Sequence, residues 1–128
     1  MNLLIDTQVF LWALSDAGRL SQAAASALTD TGNARHLSDV TCWELAIKLR
    51  LGRLRLQDRL ADVVSGQSRV LGLLHLPIAR NHVFEVQHLP LLHRDPFDRL
   101  LIAQARLEGL TIVTSDRQIA RYGVPVIW

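Results

Sequence analysis

The stretch Asp95-Pro96-Phe97-Asp98-Arg99-Leu100-Leu101-Ile102-Ala103-Gln104-Ala105 constrains the fold of this chain more tightly than any other. Aspartate followed by proline reads as an N-cap with proline at the first helical position, where the absent N–H and fixed φ cost nothing. Counting on from Asp98 by three, four and seven reaches Leu101, Ile102 and Ala105, so this carboxylate shares the apolar stripe that a helix turns toward a core. An ionised carboxylate pointing inward needs a partner, because burying it alone is strongly unfavourable. A cation, a metal ion or a protonated neighbour is therefore expected beside Asp98.

The rest of the chain alternates short apolar runs with helical periods. Asn2-Leu3-Leu4-Ile5 has the pattern of a central parallel strand buried on both faces, and it ends at Asp6. Val9, Trp12 and Ala13 then fall at helical spacing. A second helix over Ser21–Leu28, capped by Ser21, closes at Asp30-Thr31-Gly32-Asn33, and Arg35-His36-Leu37 is the strand that crossover logic requires next. Thr41-Cys42-Trp43-Glu44 matches a capping box, with Ser38 competing upstream, and a third helix runs to about Leu51 and stops at Gly52. Leu54, Leu56, Leu60, Val63 and Val64 suggest a fourth helix with Gly66 near its end, followed by a buried strand over Val70–Leu74 that Pro77 terminates. Ala79–Val86 forms a helix, Leu89–Arg94 a loop, Leu110–Thr114 a β-branched strand after Gly109, then a short helix through Ala120 and an edge strand over Val124–Ile127, where Pro125 is tolerated. Such alternation argues for a parallel sheet wrapped by helices on both faces.

In that architecture Asp6 and Asp116 lie at carboxyl ends of strands, while Glu44 and Asp98 lie in the first turns of helices that begin at the same edge, where α/β sheets bind ligands. Each acid has a plainer role available. Asp6 and Asp116 can cap helices, and Glu44 can serve as a capping partner or as an i,i+4 partner of Lys48 at about 0.2–0.5 kcal/mol. Four carboxylates at one edge repel unless they share something positive. Oxygen-only donors select a hard ion, Mg²⁺ or Mn²⁺, and such an ion assists phosphodiester hydrolysis by activating water. Thr7, Thr114 and Ser115 stand next to the acids, in positions that turn-forming hydroxyls also occupy without any catalytic duty.

Length and composition narrow the class. The 128 residues are expected to form one domain, 1–128, and 49% hydrophobic residues mark a globular chain. No apolar run approaches a membrane span and the charge at Asp6 comes too early for a signal peptide, so a cytoplasmic protein is expected. The single cysteine, Cys42, excludes an internal disulfide and a cysteine-based zinc site. Thirteen of the fourteen basic residues are arginine, which fits a phosphate-bearing partner, although codon bias in a GC-rich genome explains it without one. Arg53, Arg55 and Arg59 form the most basic stretch. His36, His75, His82, His88 and His93 share no metal-ligand spacing and read as solvated or structural.

Leu4-Ile5-Asp6-Thr7, Trp43-Glu44-Leu45-Ala46-Ile47-Lys48 with Gly52-Arg53-Leu54, Asp95-Pro96-Phe97-Asp98-Arg99 and Val113-Thr114-Ser115-Asp116 together resemble the PIN domain, specifically VapC-type toxins of bacterial toxin–antitoxin pairs. The resemblance implies a three-layer α/β sandwich with a central parallel sheet of four to five strands. It further implies a Mg²⁺- or Mn²⁺-dependent ribonuclease that is held inactive by a small VapB-like antitoxin and forms a homodimer. Matched residue by residue, the family's acidic set falls on Asp6, Glu44, Asp98 and Asp116. Gln8 stands where relatives with this Trp-Glu pattern often carry histidine, and Asp95 is an additional acid assigned here to capping.

Val9-Phe10-Leu11-Trp12 and the leucines of residues 49–56 exceed what a small core obviously needs. They are expected to form a groove for an antitoxin helix, though ordinary core packing accounts for each residue singly. The rival reading is a non-catalytic PIN-like module that binds RNA or protein, its acids merely capping helices.

Overall fold

The computed structural model describes all 128 residues. Its strands are β1 (Asn2–Ile5), β2 (Ala34–Ser38), β3 (Leu74–Leu76), β4 (Thr111–Val113) and β5 (Val126–Ile127), and its helices are α1 (Thr7–Ser15), α2 (Gln22–Thr29), α3 (Asp39–Arg50), α4 (Leu60–Leu71), α5 (Arg80–Glu85), α6 (Pro96–Glu108) and α7 (Arg117–Ala120). All strand pairs are parallel and their order across the sheet is β3-β2-β1-β4-β5. The chain thus builds outward from β1 in one direction, returns, and builds outward in the other. That reversal lies between β1 and β4, and it leaves a crevice at their carboxyl ends.

Alternation along β1 explains the layering. Leu3 and Ile5 point to one face, where they meet Val9 and Phe10 of α1, Ala24, Ala27 and Leu28 of α2, and Leu45 of α3. Leu4 points to the other, against Val40 of α3 and the buried row Leu100–Ala103 and Ala105 of α6. Both faces are covered, as the continuous apolar run requires.

The ends of α2 and α6 follow their sequence signals. Ser21 Oγ accepts from Ala24 N–H at 3.0 Å, and Asp95 Oδ1 accepts from the N–H groups of Phe97 at 2.8 Å and Asp98 at 3.2 Å, with Pro96 opening α6. Gly109 closes α6 in the left-handed conformation at φ 66°, which only glycine adopts freely.

Elsewhere the structure corrects the sequence. At the start of α3 the competing cap wins: Ser38 Oγ accepts from Val40 N–H at 2.9 Å, and Thr41 is instead buried with its hydroxyl against that of Thr7 at 2.9 Å. Glu44 therefore lies in the second turn of α3, not the first. Leu54 and Leu56 precede α4, which begins only at Leu60 and continues through Gly66 to Leu71. Its inward stripe is the half-buried Leu60, Val63, Val64 and Leu71 with the buried Gln67, a helical period that absorbs Val70 and Leu71 of the expected Val70–Leu74 strand. The strand starts only at Leu74, after Gly72 caps α4 at φ 62°, and it is an exposed edge with Leu74 half accessible.

Candidate active site

Asp6, Glu44, Asp98 and Asp116 come together. Along with Thr7, Gln8, Lys48, Asp95 and Ser115 they line an open cleft of about 360 Å³ that contains no hydrophobic residue. It lies at the reversal point of the sheet. Asp6 leaves the end of β1, Asp116 follows β4 by three residues, Asp98 is in the first turn of α6, and Glu44 reaches in from α3.

Each acid is held in its own way. Asp6 is buried and occupies the N-cap position of α1, yet its side chain makes no capping bond. Instead Oδ2 accepts from the Thr114 hydroxyl at 2.7 Å, while Thr114 Oγ1 accepts from Asp116 N–H at 3.0 Å. One hydroxyl thus ties the ends of β1 and β4 together and is committed to the protein frame. Asp116 does cap its helix, accepting from Gln118 N–H at 2.8 Å through Oδ1. Glu44 Oε2 pairs with Lys48 Nζ at 2.8 Å, as their i,i+4 spacing allows, but its other oxygen, Oε1, is buried with no hydrogen-bond partner. Asp95 has both roles open to it: it caps α6 and also lines the cleft.

Sequence reasoning missed His93. Its Nε2 lies 2.9 Å from Asp98 Oδ2 and 2.9 Å from Asp116 Oδ2, and its Nδ1 accepts from Asp95 N–H at 3.2 Å. An N–H can only donate, so in the neutral ring Nδ1 is the acceptor and the proton sits on Nε2, facing both carboxylates. His93 is neither solvated nor remote from the acids. The available signal was its position two residues before the Asp95 cap, which folds the loop back over the helix start. Among the other histidines, His36 bonds the Leu3 carbonyl, His75 pairs with Asp39, and His82 is buried against Glu108 and Gln104; these are structural.

The electrostatics reflect this crowding. The Asp98 carboxyl stands far above its ordinary value of 3.8, at about 7: burial raises it most, Asp6, Asp95 and Glu44 add to the rise, and His93 opposes it. Burial also raises Asp6, opposed by the Thr114 hydrogen bond and reinforced by Glu44 and Asp116. The acids therefore lie close enough to repel one another, and the folded protein bears that cost.

A hard divalent cation fits these donors. The cleft supplies carboxylate oxygens from four elements, one buried Glu44 oxygen lacks any partner, and the mutual repulsion is the kind a cation relieves. His93 Nε2, Asp98 and Asp116 also group closely enough, within 4.8 Å, for one ion to reach all three, although the protonated Nε2 argues for a hydrogen-bonding role.

Comparison with known proteins bears on the fold and the family. No curated protein matches the chain by sequence. Solved structures that share its fold include VapBC2 from Rickettsia felis bound to a promoter DNA fragment (TM-score 0.71, 16% identity, covering 98% of this chain and 97% of that one). DNA-bound VapBC from Salmonella typhimurium is similar at TM-score 0.72 and 17% identity, covering 98% and 96%. VapBC-5 from Mycobacterium tuberculosis, described as a member of the VapBC family of toxin–antitoxin systems, is similar at TM-score 0.57 and 18% identity, covering 94% and 89%. The model of the PIN domain matches residues 3–125, a span that takes in β2, β3, β4, all of β1 but its first residue, and all four acids of the cleft; the chain belongs to the PIN domain family.

Proposed function

We propose that this protein is the toxin of a type II toxin–antitoxin pair, a divalent-metal-dependent endoribonuclease that hydrolyses RNA phosphodiester bonds. The observation that carries the reading is the convergence of Asp6, Glu44, Asp98 and Asp116 on one cleft without apolar lining, with a buried Glu44 oxygen left unsatisfied. In this reading those four residues hold Mg²⁺ or Mn²⁺. A bound ion of this kind lowers the pKa of its water and neutralises charge developing on a phosphate. Thr114 fixes the rotamer of Asp6, His93 aligns Asp98 with Asp116, and Lys48 keeps Glu44 in place while presenting a positive charge to an entering phosphate.

The inhibitor in this proposal is a VapB-like antitoxin, a partner class supported by the VapBC assemblies that share the fold. Its seat is the groove of about 430 Å³ between α1 and the segment before α4, lined by Leu11, Leu14, Leu54, Leu56 and Val63. That groove is narrower than the sequence suggested. Val9 and Phe10 are core residues, and Trp12 is taken up by Trp128, with ring centroids 5.7 Å apart, and by Arg19, stacked 4.9 Å above its ring. A homodimer, implied by resemblance, is measurable by sedimentation equilibrium.

Cleavage of a structured RNA, with Mn²⁺ titrated, tests the assignment. Wild-type protein is expected to cut RNA in a metal-dependent manner and Asp98→Asn to lose at least a hundredfold in rate. Equal cleavage by the two proteins would remove the reaction from this cleft and leave a PIN-like binding module as the better reading.

A further inference from the structure

Tyr122, the chain's one tyrosine, follows α7, and its hydroxyl collects three donors: the N–H of Leu92 at 3.1 Å, the N–H of His93 at 2.8 Å and Nη1 of Arg99 at 3.0 Å. A phenolic oxygen has two lone pairs, so three donors make it an unusually crowded acceptor. The same guanidinium continues along the loop. Nη1 donates to the Pro90 carbonyl at 2.9 Å, and Nη2 reaches the carbonyls of Val86 at 3.3 Å and Leu89 at 3.4 Å. Arg99 and Tyr122 together grip the main chain from residue 86 to residue 93.

This loop has little else to fix its outer half. Leu89 is buried, but Leu91 is 91% exposed and contributes no packing. The loop nevertheless ends on His93, the ring that lies across Asp98 and Asp116 at 2.9 Å from each. An imidazole placed between two carboxylates is only as well fixed as the backbone that carries it, and here the N–H groups of Leu92 and His93 both donate to the Tyr122 hydroxyl, the Leu92 N–H lying also 3.0 Å from the Pro90 carbonyl. Asp116 lies on the far side of the same unit, six residues before Tyr122 and at the head of α7, so a single short segment supplies both a carboxylate and the anchor of the histidine that aligns it.

We infer that Tyr122, braced by Arg99, is a positioning residue for the carboxylate site, acting through the main chain of Leu92 and His93 to hold the His93 imidazole across Asp98 and Asp116. Its catalytic consequence rests on the ribonuclease reading; its effect on His93 does not.

Tyr122→Phe removes one oxygen and keeps the ring that packs against the α6 side of the core. Two readouts follow. In the metal-free protein, long-range ¹H–¹⁵N spectra of the His93 ring should report the Nε2–H tautomer in wild type and an average of both tautomers in the variant. With Mn²⁺ and RNA, kcat should fall about tenfold while KM stays within twofold, because the defect lies among the carboxylates and not in RNA capture. Arg99→Lys keeps the charge but lacks the fork that spans Tyr122 and Pro90; it should give the same averaged ring signals, and it serves if Tyr122→Phe does not fold. An unchanged Nε2–H signature in a folded variant of either kind overturns the inference, even where thermal stability drops. If wild type shows no cleavage that depends on Asp98, the ribonuclease reading fails, and the imidazole spectra still decide the role of Tyr122.

Discussion

The raised pKa of Asp98 turns the site into a measurable liability of the metal-free fold. With its pKa raised from 3.8 to about 7, ionising this carboxyl in the folded state costs up to about 4 kcal/mol more than ionising it in the unfolded chain. The sign follows from proton linkage. Between pH 4 and pH 7 the folded protein holds a proton at Asp98 that the unfolded chain has released, so stability declines as pH rises through that window and stays low above it. The rise at Asp6 acts in the same sense. Asp98→Asn removes the ionisation and keeps an oxygen that can still accept from His93. Urea unfolding in EDTA should therefore show the variant more stable than wild type at pH 8 by as much as about 4 kcal/mol, with the difference shrinking toward zero at pH 4. Adding Mn²⁺ at pH 8 should raise wild-type stability by about 2.7 kcal/mol at a hundredfold excess over its dissociation constant and raise the variant less. If Asp98→Asn is no more stable than wild type at pH 8 in EDTA, burial and repulsion at this carboxyl have been misjudged.

Further outcomes follow from the same contacts. Lys48→Met leaves the buried Glu44 without its 2.8 Å partner and should destabilise the metal-free protein by about 1–3 kcal/mol in urea titrations, a loss that Mg²⁺ reverses. Gln104 is fully buried and links Ser38, at 2.6 Å, to the Pro77 carbonyl and His82; Gln104→Leu should cost about 1–3 kcal/mol, seen as a lower Tm without change in metal affinity. Leu14→Asp in the apolar groove should leave RNA cleavage intact and weaken a cognate antitoxin at least tenfold by calorimetry, and an unchanged affinity would place the inhibitor elsewhere.

What could be read in the sequence was whatever local chemistry decides. The Asp95-Pro96 start, the Ser21 cap, Gly109 and the doubly buried Leu3-Leu4-Ile5 run need only their neighbours in the chain to specify them. The errors fell where two local signals competed and tertiary packing chose. Ser38 displaced the Thr41 cap because Thr41 is needed inside, against Thr7. Gly72, not Gly66, ended α4, because the stripe through Gln67 and Leu71 stays on the buried side. The four acids could be nominated because each follows a strand or opens onto a helix face at the same sheet edge. Tyr122 could not, since its bonds to Leu92, His93 and Arg99, like the contact of His93 with Asp116, join residues 23–30 positions apart and leave no periodic trace.

The way the protein tolerates its acids bears on how an ion would enter. Repulsion is met by three separate devices: Lys48 on Glu44, the Nε2–H of His93 shared by Asp98 and Asp116, and the upward shift that favours a proton on Asp98 itself. None of them occupies Glu44 Oε1, and Asp6 spends only Oδ2 on Thr114. Glu44, Asp6 and Asp98 all line the same cleft and each keeps a carboxylate oxygen outside these contacts, so in the metal-dependent reading a cation would add to the frame that Thr114 and His93 provide. In that reading, binding would displace a proton from Asp98. Uptake of a divalent ion near neutral pH should accordingly release protons from this group, and calorimetry in buffers of different ionisation enthalpy would detect it. Uptake with no buffer dependence between pH 6 and 7 would mean that Asp98 is already ionised in the folded protein, and that His93 and Lys48 alone balance the site.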